Sequence, residues 1–317
     1  LSVGSGTTKL GSLAFAEEFG DVLTLGRGTL WYTGSGETIA GLLVNPGENA
    51  SSVLKIDHDL TLTGIGVGMG ALLKKGEGDL VFKGNGDFVP GNADNAFGRS
   101  ANDSVKPNGD SPTTGLKSLM VSEGRVVIGT KDDPADAPNV SVGINMAVGC
   151  RTTTEKDERR ETAGEFVLNN GVFTSPDYVY LGYYNGTPWT DPDGELRPKI
   201  TVNGGVFNAK AIRMGHDANG NMMTASPTLE VNGGEVNLST YLEIGYSPYT
   251  QTTDFAPVDT LVVTGGILRT GKNLNMGSHA KSPQGRIIVG GTGVLDVHGT
   301  LNAAAVVTER LQPVFLE

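Results

Sequence analysis

Short runs of alternating apolar and polar residues recur along the second half of the chain. In one of them Ile200 and Val202 alternate with polar neighbours, a glycine pair follows, and a second run ends at Met214. Alternation over a few residues is the period of a β-strand, and glycine pairs mark turns where a positive φ is needed. No segment carries a sustained helical stripe. The pattern therefore predicts an all-β chain of short strands joined by tight corners.

This strand–glycine–strand unit occurs five times. The copies read EFVLNNGVFTSPDYVYLGYYNG from Glu165, KITVNGGVFNAKAIRMGHDANG from Lys199, TLEVNGGEVNLSTYLEIGYSPY from Thr228, TLVVTGGILRTGKNLNMGSHAK from Thr260 and, in degraded form, RIIVGGTGVLDVHGTLNAAA from Arg286. The second residues of the glycine pairs are 34, 29, 32 and 25 residues apart. Repeats of this length indicate a solenoid, because one such unit buries its apolar face only by stacking on its neighbours. We therefore expect a β-helix.

Two further regularities appear when the copies are aligned. Their differences in length fall after the second strand, in residues 183–198, 216–227 and 246–258, and insertions on one face are what a solenoid tolerates. A polar residue precedes each glycine pair in the first four copies: Asn169, Asn203, Asn232 and Thr264. Amides stacked on successive coils can bond to one another, so we expect a structural ladder at this position and not a ligand site.

The first half of the chain contains a different glycine-rich pattern, which covers 24–88 and continues at 115–129. Its core is GALLKKGEGDLVFKGNGDF from Gly70, with an apolar pair, Lys, a GxG turn, alternating Leu, Val and Phe, and a final GN before an aromatic residue. This core resembles the autotransporter-associated β-strand repeat, over roughly residues 20–130. The resemblance implies a right-handed parallel β-helix that acts as scaffold in a secreted or surface-attached bacterial protein. The loop 89–114 is longer than the family pattern.

Together the two patterns predict one continuous right-handed parallel β-helix, a β-solenoid with irregular coils and one-sided loop insertions. We assign residues 1–130 to autotransporter-repeat-like coils, 131–164 to an irregular insertion, and 165–317 to the glycine-pair coils. The expected location is extracellular or on the bacterial cell surface. The chain begins at LSVGSG, without Met or the regions of a signal peptide, so we expect either a processed form or a fragment. Flanking domains of the same polypeptide are expected partners.

Composition narrows the classes of function. Of 317 residues 47 are Gly and only 6% are aromatic, yet 38% are hydrophobic, which is enough to favour a folded chain. The net charge of −11 argues against binding to nucleic acid, which needs basic stripes. No run approaches the ~18 apolar residues of a membrane span. The single cysteine, Cys150, excludes an internal disulfide and a thiolate metal site, and its apolar neighbours indicate a small core residue.

The best candidate binding site lies in the stretch YVYLGYYNGTPWTDPDG. This stretch and the matching positions of later copies supply five candidate glycan-binding residues: Tyr183, Tyr184, Trp189, His216 and Tyr246. Aromatic faces exposed on a rigid solenoid can stack on sugar rings, so surface or extracellular glycans are the expected partners. The alternative is structural, with Tyr178 and Tyr180 packed between coils and the loop aromatics folded back onto the flank.

Other chemistry is sparsely represented. Two loops hold closely spaced oxygen atoms around a glycine, as calcium requires, at Asp191, Asp193, Asp217 and Asn219. An Asx-type turn explains the same pattern, and no other cofactor is expected.

Acidic residues do not fall at matched repeat positions, since Glu230, Glu235 and Glu243 all belong to one copy. We therefore predict a non-catalytic structural or adhesive segment. The alternatives are a polysaccharide lyase or glycoside hydrolase, and a phage tail-spike domain.

Overall fold

The fold consists of β-strands. In the computed structural model the described residues are 2–13, 22–44, 51–63, 66–68, 71–84, 87–88, 119–143, 145–150, 163–183, 197–215, 226–245, 258–277, 285–302, 307–308 and 315–316. Within these ranges the chain forms 31 strands and no helix. The predicted all-β character is confirmed.

Most of the strands are short, as the spacing of the glycine-containing corners predicted. The first sixteen are β1 Ser2–Val3, β2 Gly6–Leu10, β3 Val22–Leu25, β4 Gly28–Tyr32, β5 Glu37–Ile39, β6 Gly41–Val44, β7 Ser51–Ile56, β8 Leu60–Leu62, β9 Gly66–Gly68, β10 Ala71–Lys75, β11 Leu80–Phe82, β12 Asp87–Phe88, β13 Leu119–Val121, β14 Arg125–Ile128, β15 Asn139–Ser141 and β16 Met146–Cys150. The others are β17 Glu165–Leu168, β18 Val172–Tyr183, β19 Lys199–Val202, β20 Val206–Met214, β21 Thr228–Val231, β22 Glu235–Leu238, β23 Leu242–Ile244, β24 Asp259–Val263, β25 Ile267–Thr270, β26 Leu274–Met276, β27 Gly285–Val289, β28 Val294–Val297, β29 Leu301–Asn302, β30 Val307–Thr308 and β31 Phe315–Leu316.

The strands assemble into three sheets. Sheet 1 has ten strands in the order β5, β8, β11, β14, β17, β19, β21, β24, β27, β30. Sheet 2 contains a long ladder of β2, β4, β7, β10, β13, β16, β18, β20, β23, β26 and β29, and a short ladder of β12, β15, β18, β20, β22, β25, β28 and β31. Sheet 3 has β1, β3, β6 and β9. Every strand pairing in the described ranges is parallel.

From β14 onward the chain visits the sheets in a fixed order. Each coil passes from sheet 1 to the short ladder, then to the long ladder, and returns to sheet 1 one strand further along. β18 and β20 run through the corner and belong to both ladders, with a register shift between Ser175 and Tyr178. Residues 131–164, which we predicted to be an irregular insertion, contain β15 and β16, and both pair in register with earlier strands. Stacked parallel coils are the arrangement of a solenoid.

The core is built from rows of inward side chains. One row of sheet 1 is fully buried and consists of Phe166, Ile200, Leu229, Leu261 and Ile287. Phe166 also packs against Phe173 and Phe207 of the short ladder, with ring centroids 4.7 and 5.9 Å away. Burial of each such side chain stabilises the fold by about 1.5–3 kcal/mol. Because the outward residues alternate with these, the outer faces of the sheets are free to carry polar groups.

Glycine turns the corner between sheet 1 and the short ladder. Gly205 has φ +70°, and a Cβ at this position would lie 2.3 Å from the carbonyl oxygen of Gly171 on the neighbouring coil. Gly234 repeats the arrangement, with φ +67° and the carbonyl oxygen of Gly205 at 2.4 Å. Only glycine combines this backbone conformation with so close an approach. The positive φ predicted at the glycine pairs is confirmed.

Candidate functional site

Most of the predicted ligand residues lie outside the described residues. These are Tyr184, Trp189, His216 and Tyr246, together with the calcium candidates Asp191, Asp193, Asp217 and Asn219. Of Tyr183 only the backbone is described, as the last residue of β18, where it pairs with Cys150 of β16. Within the described ranges, no three His, Cys, Asp or Glu side chains are grouped so that they could hold a metal ion. Calcium binding and glycan binding by the loop aromatics stay predictions.

The residues that precede the glycine pairs form a chain of hydrogen bonds along one corner. Asn203 Nδ2 donates to Asn169 Oδ1 at 2.9 Å, and Asn232 Nδ2 donates to Asn203 Oδ1 at 3.3 Å. Thr264 Oγ1 donates to Asn232 Oδ1 at 2.9 Å. At the other end, Asn169 Nδ2 donates to the carbonyl oxygen of Gly129 at 3.2 Å. Each side chain therefore bonds to the next coil, and a ligand would have to break these bonds to reach the amides.

A second group of polar side chains, the tyrosine–arginine cluster, covers the outer face of the long ladder near β18, β20 and β23. It consists of Tyr178, Tyr180, Arg213, Tyr241 and Glu243. Arg213 Nε donates to Glu243 Oε2 at 2.8 Å, and its Nη2 donates to Tyr241 Oη at 2.7 Å. Tyr241 Oη in turn donates to Tyr178 Oη at 3.1 Å. The cluster thus joins three coils by charge-assisted and hydroxyl hydrogen bonds.

The rings of this cluster pack against cations and against one another. The Arg213 guanidinium lies 4.5 Å from the centre of the Tyr178 ring, and Lys210 Nζ lies 4.8 Å from it. Tyr178 also packs against Tyr241, with centroids 6.1 Å apart. Burial raises the pKa of Tyr180 to about 12 and also raises the pKa of Tyr241, so both hydroxyls stay protonated near neutral pH. The two cations occupy ring surface that a sugar would need for stacking.

A groove follows the corner between the two ladders of sheet 2, beside the tyrosine–arginine cluster. Its cavity volume is about 460 Å³, and we call it the corner groove. Pro176, Ala209 and Leu238 give it an apolar part. The polar part of its lining includes Asn208, Lys210, Asn237, Arg269 and His298. Lys210 belongs to the lining and also lies over Tyr178, so the groove and the cluster adjoin.

An amide relay crosses the corner groove from coil to coil. Arg269 Nη1 donates to Asn237 Oδ1 at 3.2 Å, and Asn237 Nδ2 donates to Asn208 Oδ1 at 3.3 Å. The three residues occupy one register on β25, β22 and β20. Such planar polar groups, held in sequence on rigid strands, can recognise a ligand rich in hydroxyl groups.

The cations of the corner groove are already paired with carboxylates. Arg269 contacts Glu235 Oε2 at 2.7 Å and Asp296 Oδ2 at 3.6 Å. Lys210 Nζ contacts Asp177 Oδ1 at 2.9 Å. These pairs keep the local charge close to balance, and an anionic ligand would have to compete with them.

Lys74, on β10, is an inward-facing cation that sequence reasoning missed. It is fully buried, in register with Leu54 on one side and Val121 on the other. Its Nζ donates to the carbonyl oxygens of Gly76 at 2.5 Å and Glu123 at 2.7 Å. Burial lowers the pKa of Lys74 to about 8, although the charge of Asp79 opposes this shift. Alternation alone gave no signal, since Leu72 and Leu73 place apolar residues on both faces of the strand.

Asp259, the first residue of β24, is a buried acid that was also missed. Only 3% of it is exposed, and its Oδ2 accepts a hydrogen bond from the Gly245 backbone at 2.8 Å. Burial raises the pKa of Asp259 to about 8. Two aligned copies have proline here, Pro198 and Pro227, so a charged residue at a position otherwise occupied by proline was the signal.

Comparisons with protein-family models, with curated proteins and with solved structures found no match for this chain. The resemblance to the autotransporter-associated repeat therefore rests on the residues of its motif. In the part of the chain that the structure describes, no helix is long and apolar enough to cross a bilayer. The fold and these surfaces define a class of protein: an all-β stack of parallel coils whose outer corners carry polar ladders and a groove.

Proposed function

We propose that this chain is a non-catalytic structural or adhesive segment of a larger secreted or cell-surface bacterial protein, folded as a right-handed parallel β-helix. The observation that carries the proposal is the unbroken parallel pairing of sheet 1 from β5 to β30. A stack of coils in which each pairs with the next gives a stiff rod. The right hand is supported by the general preference of parallel strands in one sheet for right-handed crossover connections.

The side-chain ladder at the corner supports a role as scaffold. The bonds between Asn169, Asn203 and Asn232 join coils that are 34 and 29 residues apart along the chain. They hold the coils together without a disulfide, which suits a chain with one cysteine. The motif from Gly70 supports a secreted or surface location, because the family that it resembles uses the repeat as scaffold.

The carboxylates around the corner groove favour a binding role over the polysaccharide-processing alternative. A glycoside hydrolase needs one protonated carboxyl as general acid and a second carboxylate beside it. Glu235 and Asp296 both contact Arg269, and Asp177 contacts Lys210. Each of these carboxylates is therefore held in an ion pair, and a glycosidic oxygen would have to displace the cation to reach it.

Two measurements test the proposal. The eleven strands of the long ladder predict a rod axis of roughly 50 Å at ~4.8 Å per strand, which small-angle scattering of the purified chain would detect. Incubation with cellulose, xylan, pectin and alginate, followed by mass spectrometry of the soluble saccharides, tests catalysis. We expect an elongated particle and no new products. Release of shortened saccharides would overturn the non-catalytic role, and a tight trimer in light scattering would favour the tail-spike alternative.

A further inference from the structure

We infer that the corner groove binds a neutral oligosaccharide whose chain lies along the stack of coils. The inference rests on the proposed adhesive role and names its ligand class. Its residues stand on the strands and corner of sheet 2, and not in the loops that carry the sequence-predicted aromatics. Four successive coils contribute side chains: Asn208, Asn237, Arg269 and His298. At ~4.8 Å per coil they span roughly 14 Å, which is longer than one sugar ring.

Arg269 fixes the direction of the amide relay. A guanidinium only donates, so Asn237 turns its carbonyl oxygen toward Arg269 and its Nδ2 toward Asn208. Asn208 then accepts at Oδ1 and turns its own Nδ2 away from Asn237. This Nδ2 finds no acceptor among the described residues. The relay therefore ends in a polarised donor on the wall of the groove, and a sugar hydroxyl oxygen is an acceptor of matching chemistry.

The far end of the corner groove presents an exposed imidazole ring. His298 Nε2 lies 3.2 Å from Asp296 Oδ1, and the His298 side chain is 52% exposed. The amide donor of Asn208 and the polar ring of His298 match sugar hydroxyl groups, each of which both donates and accepts.

The walls and the charge of the groove favour a neutral chain. Three carboxylates, those of Asp177, Glu235 and Asp296, pair with the two permanent cations Lys210 and Arg269. The whole chain has a net charge of −11. A carboxylated or sulfated polymer would therefore meet repulsion and would have to displace existing ion pairs, whereas hydroxyl groups avoid both costs. The apolar floor at Pro176 and Leu238 suits the C–H faces of sugar rings.

Isothermal titration with cellohexaose, xylohexaose, mannohexaose and hexagalacturonate tests the inference. The test variant is Asn208→Leu, which removes the terminal donor of the relay. The matched control is Asn275→Leu: Asn275 accepts a similar amide bond from Asn302 at 3.0 Å, but it lies on the long ladder and does not line the groove. We expect at least one neutral hexasaccharide to bind, Asn208→Leu to weaken it about tenfold and Asn275→Leu to leave it unchanged. If Asn208→Leu does not fold, the isosteric Asn208→Asp removes the same donor.

Every other result overturns the inference. Binding of no hexasaccharide, or of hexagalacturonate alone, excludes a neutral ligand. Equal weakening by Asn208→Leu and Asn275→Leu excludes the corner groove. Mass spectrometry of the titrated saccharides distinguishes failure of the inference from failure of the proposed function. Shortened products would overturn the non-catalytic role. If the particle is elongated and the saccharides stay intact but do not bind, only the inference is overturned.

Discussion

The Nζ atom of Lys74 lies 2.7 Å from the carbonyl oxygen of Glu123, inside the stack and in a row that carries Leu54 and Val121 on the adjacent strands. Burial lowers the pKa of Lys74 to about 8 from its ordinary value of 10.5. Between these two values the unfolded chain binds more protons than the folded chain. The free energy of unfolding therefore rises with pH across this window.

Replacing Lys74 by Met should remove this dependence. As the pH is raised from 8 to 10, wild type should gain stability relative to Lys74→Met by on the order of 2 kcal/mol. Urea unfolding of both proteins at several pH values measures the difference directly. A constant difference over that range would mean that the ammonium group does not lose its solvation on folding.

Asp259 should act with the opposite sign. Its pKa is raised to about 8 from 3.8, so between those values the folded chain holds the proton and stability falls as the pH rises. Asp259→Asn keeps an oxygen to accept from the Gly245 backbone and removes the charge. We expect this variant to gain melting temperature relative to wild type from pH 4.5 to 7.5. Asp132→Asn, at an exposed position, controls for the general loss of a negative charge. Identical pH profiles for wild type and Asp259→Asn would contradict the expectation.

The asparagine ladder should contribute measurably to stability. Asn203→Ala removes the bonds to Asn169 and Asn232 and should lower the free energy of unfolding by about 1–2 kcal/mol. The comparison is Asn302→Ala, which removes one exposed amide bond and should cost less than about 0.5 kcal/mol. Equal losses in urea titrations would mean that the ladder stabilises the fold no more than a surface amide pair does.

The corner glycines should resist substitution. Gly205→Ala places a Cβ 2.3 Å from the Gly171 carbonyl at φ +70°, so we expect a loss of more than about 2 kcal/mol or failure to fold. Gly11→Ala is the control, because no atom lies within 4 Å of a Cβ there. Its expected effect is within about 0.5 kcal/mol. Similar thermal midpoints for the two variants would show that neighbouring coils can move apart at little cost.

The aligned copies also contain regular surface positions that are occupied by neither acidic nor aromatic residues. The apolar alternation predicted burial of Ile200 and Val202, and both are fully buried. The three members of the amide relay are equally regular: Asn208, Asn237 and Arg269 each stand three residues after the second glycine of a pair. A search for acidic residues at matched repeat positions does not find these three residues, because the relay is built from amides and one guanidinium group.

The buried position of Lys74 could not be read from its neighbourhood. Lys74 and Lys75 are adjacent, so one must point inward, and only the register with β7 and β13 decides which. That register depends on contacts with Leu54 and Val121, which are 20 and 47 residues away along the chain. Alternation shows that every second side chain lies on the same face of a strand, and pairing with distant strands decides which of the two faces points to the core.

The strands on the third side of the stack belong to two separate sets, and one set gives way to the other near the end of the first quarter of the chain. Among the described residues, sheet 3 ends at β9 and the short ladder begins at β12, with no strand pairing between the two, whereas sheet 1 and the long ladder continue across this point. Among the described strands, two rows of backbone hydrogen bonds therefore join the coils at this point, and three rows join the later coils. We expect single-molecule pulling on the two ends of the rod to separate the coils here first and to release those before β12 as one unit.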